Sequence, residues 1–159
     1  VTAAVRSEAG ARVARELGAH EAIVGDDAAH RAAQIQRITG GKGFDVVFDT
    51  VGGASLDAAL QAAAVNGRVS AIAARSTHDL SPMHAKGLTL NVVFMLIPLL
   101  HDIGRERHGQ TLRELAALVD AGKLRVRIDP TPFDLAHAGA AQDFFSSGKA
   151  QGKVVVRVA

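Results

Sequence analysis

Apolar positions along the chain switch repeatedly between a strand period and a helix period. Val1 to Val5 is a short run suited to a β-strand, closed by Arg6-Ser7, and Ala9, Val13 and Leu17 then recur at helical spacing until Gly18. Glu21 to Val24 is a second brief strand ended by Gly25-Asp26-Asp27, with Asp27 predicted to cap a helix that carries Ile35 and Ile38 and stops at Gly40-Gly41. Phe44 to Asp49 is nearly continuously apolar, as a strand covered on both faces would be, and Gly52-Gly53 turns it into a helix through Leu56 and Leu60. Asn66-Gly67 is predicted to reset the chain into a strand from Arg68 to Ile72, Pro82 to open a helix, and Leu88 to Met95 to form an edge strand. Leu112, Leu115, Leu118 and Val119 predict an amphipathic helix over 106–121. Arg125 to Asp129 is β-like, Leu135 to Phe145 helical, and Lys153 to Val158 a closing strand.

Strands alternating with helices at this rhythm predict an α/β fold, a doubly wound parallel sheet with helices on both faces, because each parallel crossover needs a dozen or more residues. Composition agrees: 48% of the 159 residues are apolar and 21% charged, which excludes a disordered tail. Thirty alanines and sixteen glycines, with no Trp or Tyr, suit closely packed layers. The longest apolar run, Leu88 to Leu100, is broken by Asn91 and Pro98 and falls short of the ~20 residues that cross a bilayer. A soluble, cytoplasmic protein with no membrane partner is expected. A net charge of +2, with basic and acidic residues interspersed, argues against nucleic acid as a partner. The absence of cysteine removes disulfides, thiol nucleophiles and thiolate ligands from these residues. Opening on Val1 within a strand-like run, the chain is expected to start partway into a longer protein.

Open parallel sheets bind ligands beyond the carboxyl ends of their strands. Arg6 and Ser7 follow the first strand and Arg12 lies in the helix after it; bases and a hydroxyl there suit the extra phosphate of NADP, while Ser7 would equally serve as a helix cap and the arginines as solvated charges. Thr50-Val51-Gly52-Gly53 follows the third strand, where glycines permit close approach of backbone to a ligand or simply make a turn. Ala73-Ala74-Arg75-Ser76 follows the next strand, with small residues that leave room for a flat ring. Gly148 to Lys153 sets two lysines among glycines, in a phosphate contact or a solvated loop. Neither Gly-x-Gly-x-x-Gly nor a Gly-rich Lys-Ser/Thr phosphate loop is present, the seven histidines show no metal-ligand spacing, and Ser55, Ser81 and Ser146 have no nucleophile-elbow context.

Five ordered segments, Glu16 to Val24, Ile38 to Gly53, Asn66 to Val69, Lys86 to Leu90 and Ser147 to Val155, resemble the medium-chain dehydrogenase/reductase superfamily, nearest its quinone oxidoreductase-like and zinc-type alcohol dehydrogenase-like members. The resemblance implies a Rossmann-type cofactor domain over residues 1–124, lacking its first, central strand and the glycine-rich turn, and a segment 125–159 returning to a GroES-like catalytic domain. It implies a nicotinamide-dependent oxidoreductase, with direct hydride transfer to or from a small carbonyl, quinone or enone.

Carried over by motif, Arg6 and Ser7 match the contact to the adenosine ribose or 2′-phosphate, and Thr50, Val51, Gly52 and Gly53 the turn beside the adenosine half. Ala73, Ala74, Arg75 and Ser76, with Val93, Phe94 and Met95, match the segments flanking the nicotinamide; Lys153 matches a lysine near the cofactor. NADP(H) is favoured over NAD(H), although Gly25 stands where many relatives carry Tyr or His. Zinc is not expected in this segment and is undetermined for the parent, and the catalytic residues are not identified. A homodimer through the Leu88 to Met95 strand is expected. Two alternatives stand beside this reading. Gly43 to Asp49 looks like the acidic post-strand motif of S-adenosylmethionine-dependent methyltransferases, though those end in an antiparallel hairpin that the closing Gly-Lys-Val-Val does not suggest; and a degenerate nucleotide fold could serve assembly alone.

Overall fold

The computed structural model describes residues 1–158 and divides into two compact units, Val1–Ile103 and Gly104–Ala159. The first unit runs β1 (Thr2–Val5), α1 (Glu8–Glu16), β2 (Glu21–Val24), α2 (Ala28–Thr39), β3 (Phe44–Asp49), α3 (Ala54–Ala62), β4 (Ala63–Ala71), α4 (Ser81–Lys86), β5 (Thr89–Val92) and α5 (Ile97–Leu100). Every strand pair is parallel, in two sheets: β1 with β2, and β3, β4, β5 in that order.

The outer edges of β1 and β3 carry no strand and border a groove of about 650 Å3, lined by Val1 to Ala4 on one side and Val46 to Val51 on the other. Phe48 is 63% exposed there, a large apolar side chain placed as if for a covered sheet.

Helix ends follow the capping signals. Asp27 Oδ1 accepts from His30 N–H at 2.7 Å and starts α2, and Ser7 Oγ accepts from Gly10 N–H at 3.2 Å and starts α1. The core is α3 against β4: Leu56 and Leu60 are fully enclosed with Ala59, Ala63, Val69, Ala71 and Leu88, and Val47, Met83 and Leu90 pack on them. Burying each leucine contributes roughly 1.5–3 kcal/mol relative to leaving it in water. Lys86 ties this layer together, its Nζ donating to the carbonyls of Gln61 at 2.6 Å and Ala63 at 3.0 Å where α3 ends, a cation at the negative end of a helix.

Two strands of this unit depart from the sequence pattern. The strand expected from Arg68 begins at Ala63, directly after α3, and bulges: Phe44 pairs with Ala63, then Val46 with Arg68. Asn66-Gly67 therefore lies inside β4, with Asn66 at φ 59°, a conformation its short polar side chain tolerates. The edge strand expected over Leu88 to Met95 is limited to Thr89–Val92, because the chain turns at Phe94 and Pro98 falls in the first turn of α5. Among the described residues no helix is long and apolar enough to cross a membrane.

The second unit holds α6 (Glu106–Asp120), β6 (Phe133–Asp134), a 3-10 turn (Leu135–His137), α7 (Ala138–Ser146) and β7 (Val156–Arg157), with β6 and β7 parallel. The β-like stretch Arg125 to Asp129 makes only one bridge, Ile128 with Lys153, and the closing strand is confined to Val156–Arg157. That bridge is closed by Asp129 N–H to Lys153 O at 3.0 Å and Lys153 N–H to Arg127 O at 2.8 Å, and beside it the buried Asp129 carboxylate accepts from Gln151 N–H at 2.7 Å and Thr131 N–H at 3.0 Å. These donors, Gln151 first and Thr131 next, hold its carboxyl below the usual carboxylate range.

Candidate functional site

Within the first unit the carboxyl ends of β3, β4 and β5 form one rim. Ile72 N–H donates to Asp49 O at 3.2 Å and Val93 N–H to Ala71 O at 2.8 Å, so the segments leaving the strands start side by side. Gly52 locks two of them together. It sits at φ +80°, and a Cβ there would collide with the carbonyl oxygen of Ala73. The turn is held from beneath by the buried Asp49, whose Oδ2 accepts from Gly52 N–H at 2.8 Å and whose Oδ1 accepts from Ser55 Oγ at 2.6 Å. An Asp followed by two glycines thus becomes a turn whose geometry is fixed by a carboxylate, and α3 starts at once on the far side.

Of the residues singled out by sequence, Thr50 to Gly53, Ala73 to Ser76 and Val93 gather at this rim, and Phe94 and Met95 continue from it, half exposed and exposed. Arg6 and Arg12 are exposed at the end of β1 and in α1, and Ser7 is the cap of α1, as its helix-capping reading required. Lys153 belongs to the second unit, where its backbone N–H donates to Arg127 O at 2.8 Å. Nothing lies within 4 Å of the point a Cβ on Gly53 would occupy, which leaves open backbone at the start of α3.

The rim carries a side-chain chain that sequence reading missed. Ser76 Oγ lies 2.7 Å from His78 Nε2, and His78 Nδ1 lies 2.8 Å from Asp57 Oδ1. A carboxylate only accepts, so Nδ1 carries a proton and donates to Asp57; in the neutral ring Nε2 then accepts from the serine hydroxyl. Asp57 is in the first turn of α3, 21 residues before His78, a separation that no short motif encodes. Among the described residues no three His, Asp or Glu side chains gather into a ligand set, and the chain has no cysteine, so these residues do not fit a zinc centre.

Comparison with known proteins bears on what the rim serves. A family model described as zinc-binding dehydrogenase matches residues 17–156. Mycoketide-CoA synthase of Mycobacterium tuberculosis is 33% identical over 120 residues, which are 74% of this chain and 3% of that protein. An alcohol dehydrogenase superfamily protein from Novosphingobium aromaticivorans superposes with a TM-score of 0.87 at 34% identity, over 99% of this chain and 48% of that one. A mycobacterial protein solved in complex with NADPH superposes with a TM-score of 0.81 at 23% identity, over 99% of this chain and 50% of that one. The chain therefore spans about half the length of these solved structures.

Proposed function

Because the chain belongs to the zinc-binding dehydrogenase family of medium-chain dehydrogenases/reductases, we propose that the protein transfers hydride between a nicotinamide cofactor and a small carbonyl, quinone or enone. The observation that carries this reading is the joined rim of β3, β4 and β5. There Gly53 offers open backbone, and the Gly52–Ala73 contact fixes the two strand-end turns against each other. When bound, the nicotinamide supplies hydride; the chain's own residues bind and orient it and exclude water from the reacting faces. The fold shared with the mycobacterial NADPH complex supports a dinucleotide here.

NADP(H) is the favoured form. Arg6 at the end of β1 and Arg12 in α1 are exposed cations, suited to charge-assisted bonds with a 2′-phosphate, and Ser7 retains its O–H as a donor while its oxygen caps α1. The groove between β1 and β3 takes a further parallel strand that completes the sheet, residues 1–124 serve as the cofactor domain, and 125–159 return to a catalytic domain. The exposed outer edge of β5, with Val92, Val93 and Met95, serves for pairing with a second copy.

Fluorescence titration of the intact protein with NADPH, NADH and S-adenosylmethionine tests the reading. Saturable NADPH binding, at least tenfold tighter than NADH, is expected, since each charge-assisted contact to the extra phosphate contributes about 1.5–3 kcal/mol. Binding of S-adenosylmethionine without either nicotinamide would overturn it.

A further inference from the structure

We propose that Ser76, His78 and Asp57 form the proton-transfer chain that accompanies hydride transfer, with Ser76 as the group that meets the substrate oxygen. This rests on the reductase reading above and adds to it the acid that the reaction needs. Reduction of a carbonyl or enone adds hydride at carbon and leaves the electron pair of the broken π bond on oxygen, which must take up one proton per turnover. A serine hydroxyl alone is too weak an acid to give one up without being resupplied in the same event.

The geometry supplies the refill. Ser76 Oγ is within hydrogen-bond distance of His78 Nε2, at 2.7 Å, and Asp57 holds Nδ1 at 2.8 Å. With the ring protonated, Nε2–H donates to Ser76 Oγ. Ser76 can then pass its own proton outward while taking the histidine's, breaking one O–H bond and forming another. The ring is left neutral with Nδ1–H still donated to Asp57, and solvent returns the proton to Nε2. Run backwards, the neutral ring takes the serine proton while Ser76 takes one from an alcohol, so one chain serves both directions of hydride transfer.

Three features separate this arrangement from a chance surface contact. The His78 side chain is only 10% exposed, whereas Asp57 is 52% exposed, so the ring is held in place and its orienting carboxylate reaches water. Ser76 is exposed and leaves the carboxyl end of β4 in the same segment as Ala73 and Ala74, on the side of the sheet where ligands bind. Asp57 stands in the first turn of α3, on a regular element that holds its Oδ1 where it accepts from His78 Nδ1 and fixes the tautomer. Two elements that meet at the Gly52–Ala73 contact thus each bring part of one relay.

The test uses the intact protein with NADPH as donor and cyclohexenone, hexanal and benzoquinone as acceptors. Ser76→Ala and His78→Gln are expected to slow reduction about 100-fold or more, within the usual range for a positioned acid. At saturating NADPH they should also alter the solvent deuterium isotope effect on single-turnover hydride transfer. Asp57→Ala, at an exposed helix position where alanine is well tolerated, is expected to slow it about tenfold. Ser76→Thr, which keeps the hydroxyl, should restore most of the rate.

A second readout needs no turnover. Imidazole 15N NMR of the cofactor-free protein should show His78 protonated at Nδ1, and Asp57→Ala should lose that preference. Wild-type protein that binds neither nicotinamide, or reduces none of the three acceptors, overturns the reductase reading and the relay with it. An active enzyme whose Ser76→Ala form keeps its rate and isotope effect, or whose His78 is protonated at Nε2 alone when neutral, overturns the relay and leaves the reductase reading standing.

Discussion

Gly52 and Gly53 are adjacent, both lie at positive φ, and do different jobs. At Gly53, φ +55° and open space mean that an alanine would meet only the backbone penalty, about 1–3 kcal/mol. At Gly52, φ +80° is combined with a collision against the Ala73 carbonyl, so one of the two strand-end turns must also move. Urea unfolding should therefore show Gly52→Ala losing clearly more stability than Gly53→Ala, and Gly52→Ala should also weaken NADPH binding. Equal losses would mean that the contact between the turns carries no weight. The sequence made both glycines visible as a turn at the end of a strand, yet their inequality was not legible. It depends on Ala73, a partner 21 positions on that only the parallel pairing of β3 with β4 brings close. The Ser76–His78–Asp57 chain was hidden for the same reason, since Ser76 was visible as a strand-end residue but its partners arrive through the α3–β4 layer.

At the level of elements, local signals were legible where they were self-contained. Asp27 and Ser7 cap the helices they were expected to cap, because an N-cap needs only its own side chain and the next turn. The elements that departed, β4, β5 and the stretch around Ile128, are those whose extent is decided by neighbours. β4 reaches back to Ala63 because β3 offers Phe44 as a partner, and Arg125 to Asp129 pairs only where Lys153 is its neighbour, with the Asp129 carboxylate accepting from Gln151 N–H beside that bridge.

That carboxylate gives a pH prediction. Gln151 and Thr131 hold Asp129 ionised below the ordinary range, so the folded-state pKa is depressed. Its contribution is present at pH values above the unfolded-chain value of about 3.9 and is lost as pH falls through the lower folded value. Stability of the Gly104–Ala159 unit, followed by CD in an acid titration, should fall in that window. Asp129→Asn should be less stable at neutral pH and show a shallower acid loss. An acid profile identical to wild type would contradict the assignment.

For the whole molecule, the pattern of parallel strands was legible from the alternation of elements and the resemblance, and the outer edges of β1 and β3 stand open. Assembly is argued from the other end of the sheet. Val93 N–H donates inward to Ala71 and Val92 is in register with Ala71, so the N–H of Val92 points away from β4. Val92→Pro removes that outward donor without touching the β4–β5 ladder. If β5 pairs with a second copy, light scattering should report a monomer for Val92→Pro and a dimer for the wild type; a dimer in both would place the interface elsewhere.

The central claim is that the joined ends of β3, β4 and β5 hold the nicotinamide cofactor, and hydrogen–deuterium exchange of the intact protein with and without saturating NADPH tests it most directly. Protection concentrated at 50–53, 73–76 and 93–95 is the predicted result. Saturated protein that leaves these three segments exchanging as before would contradict it.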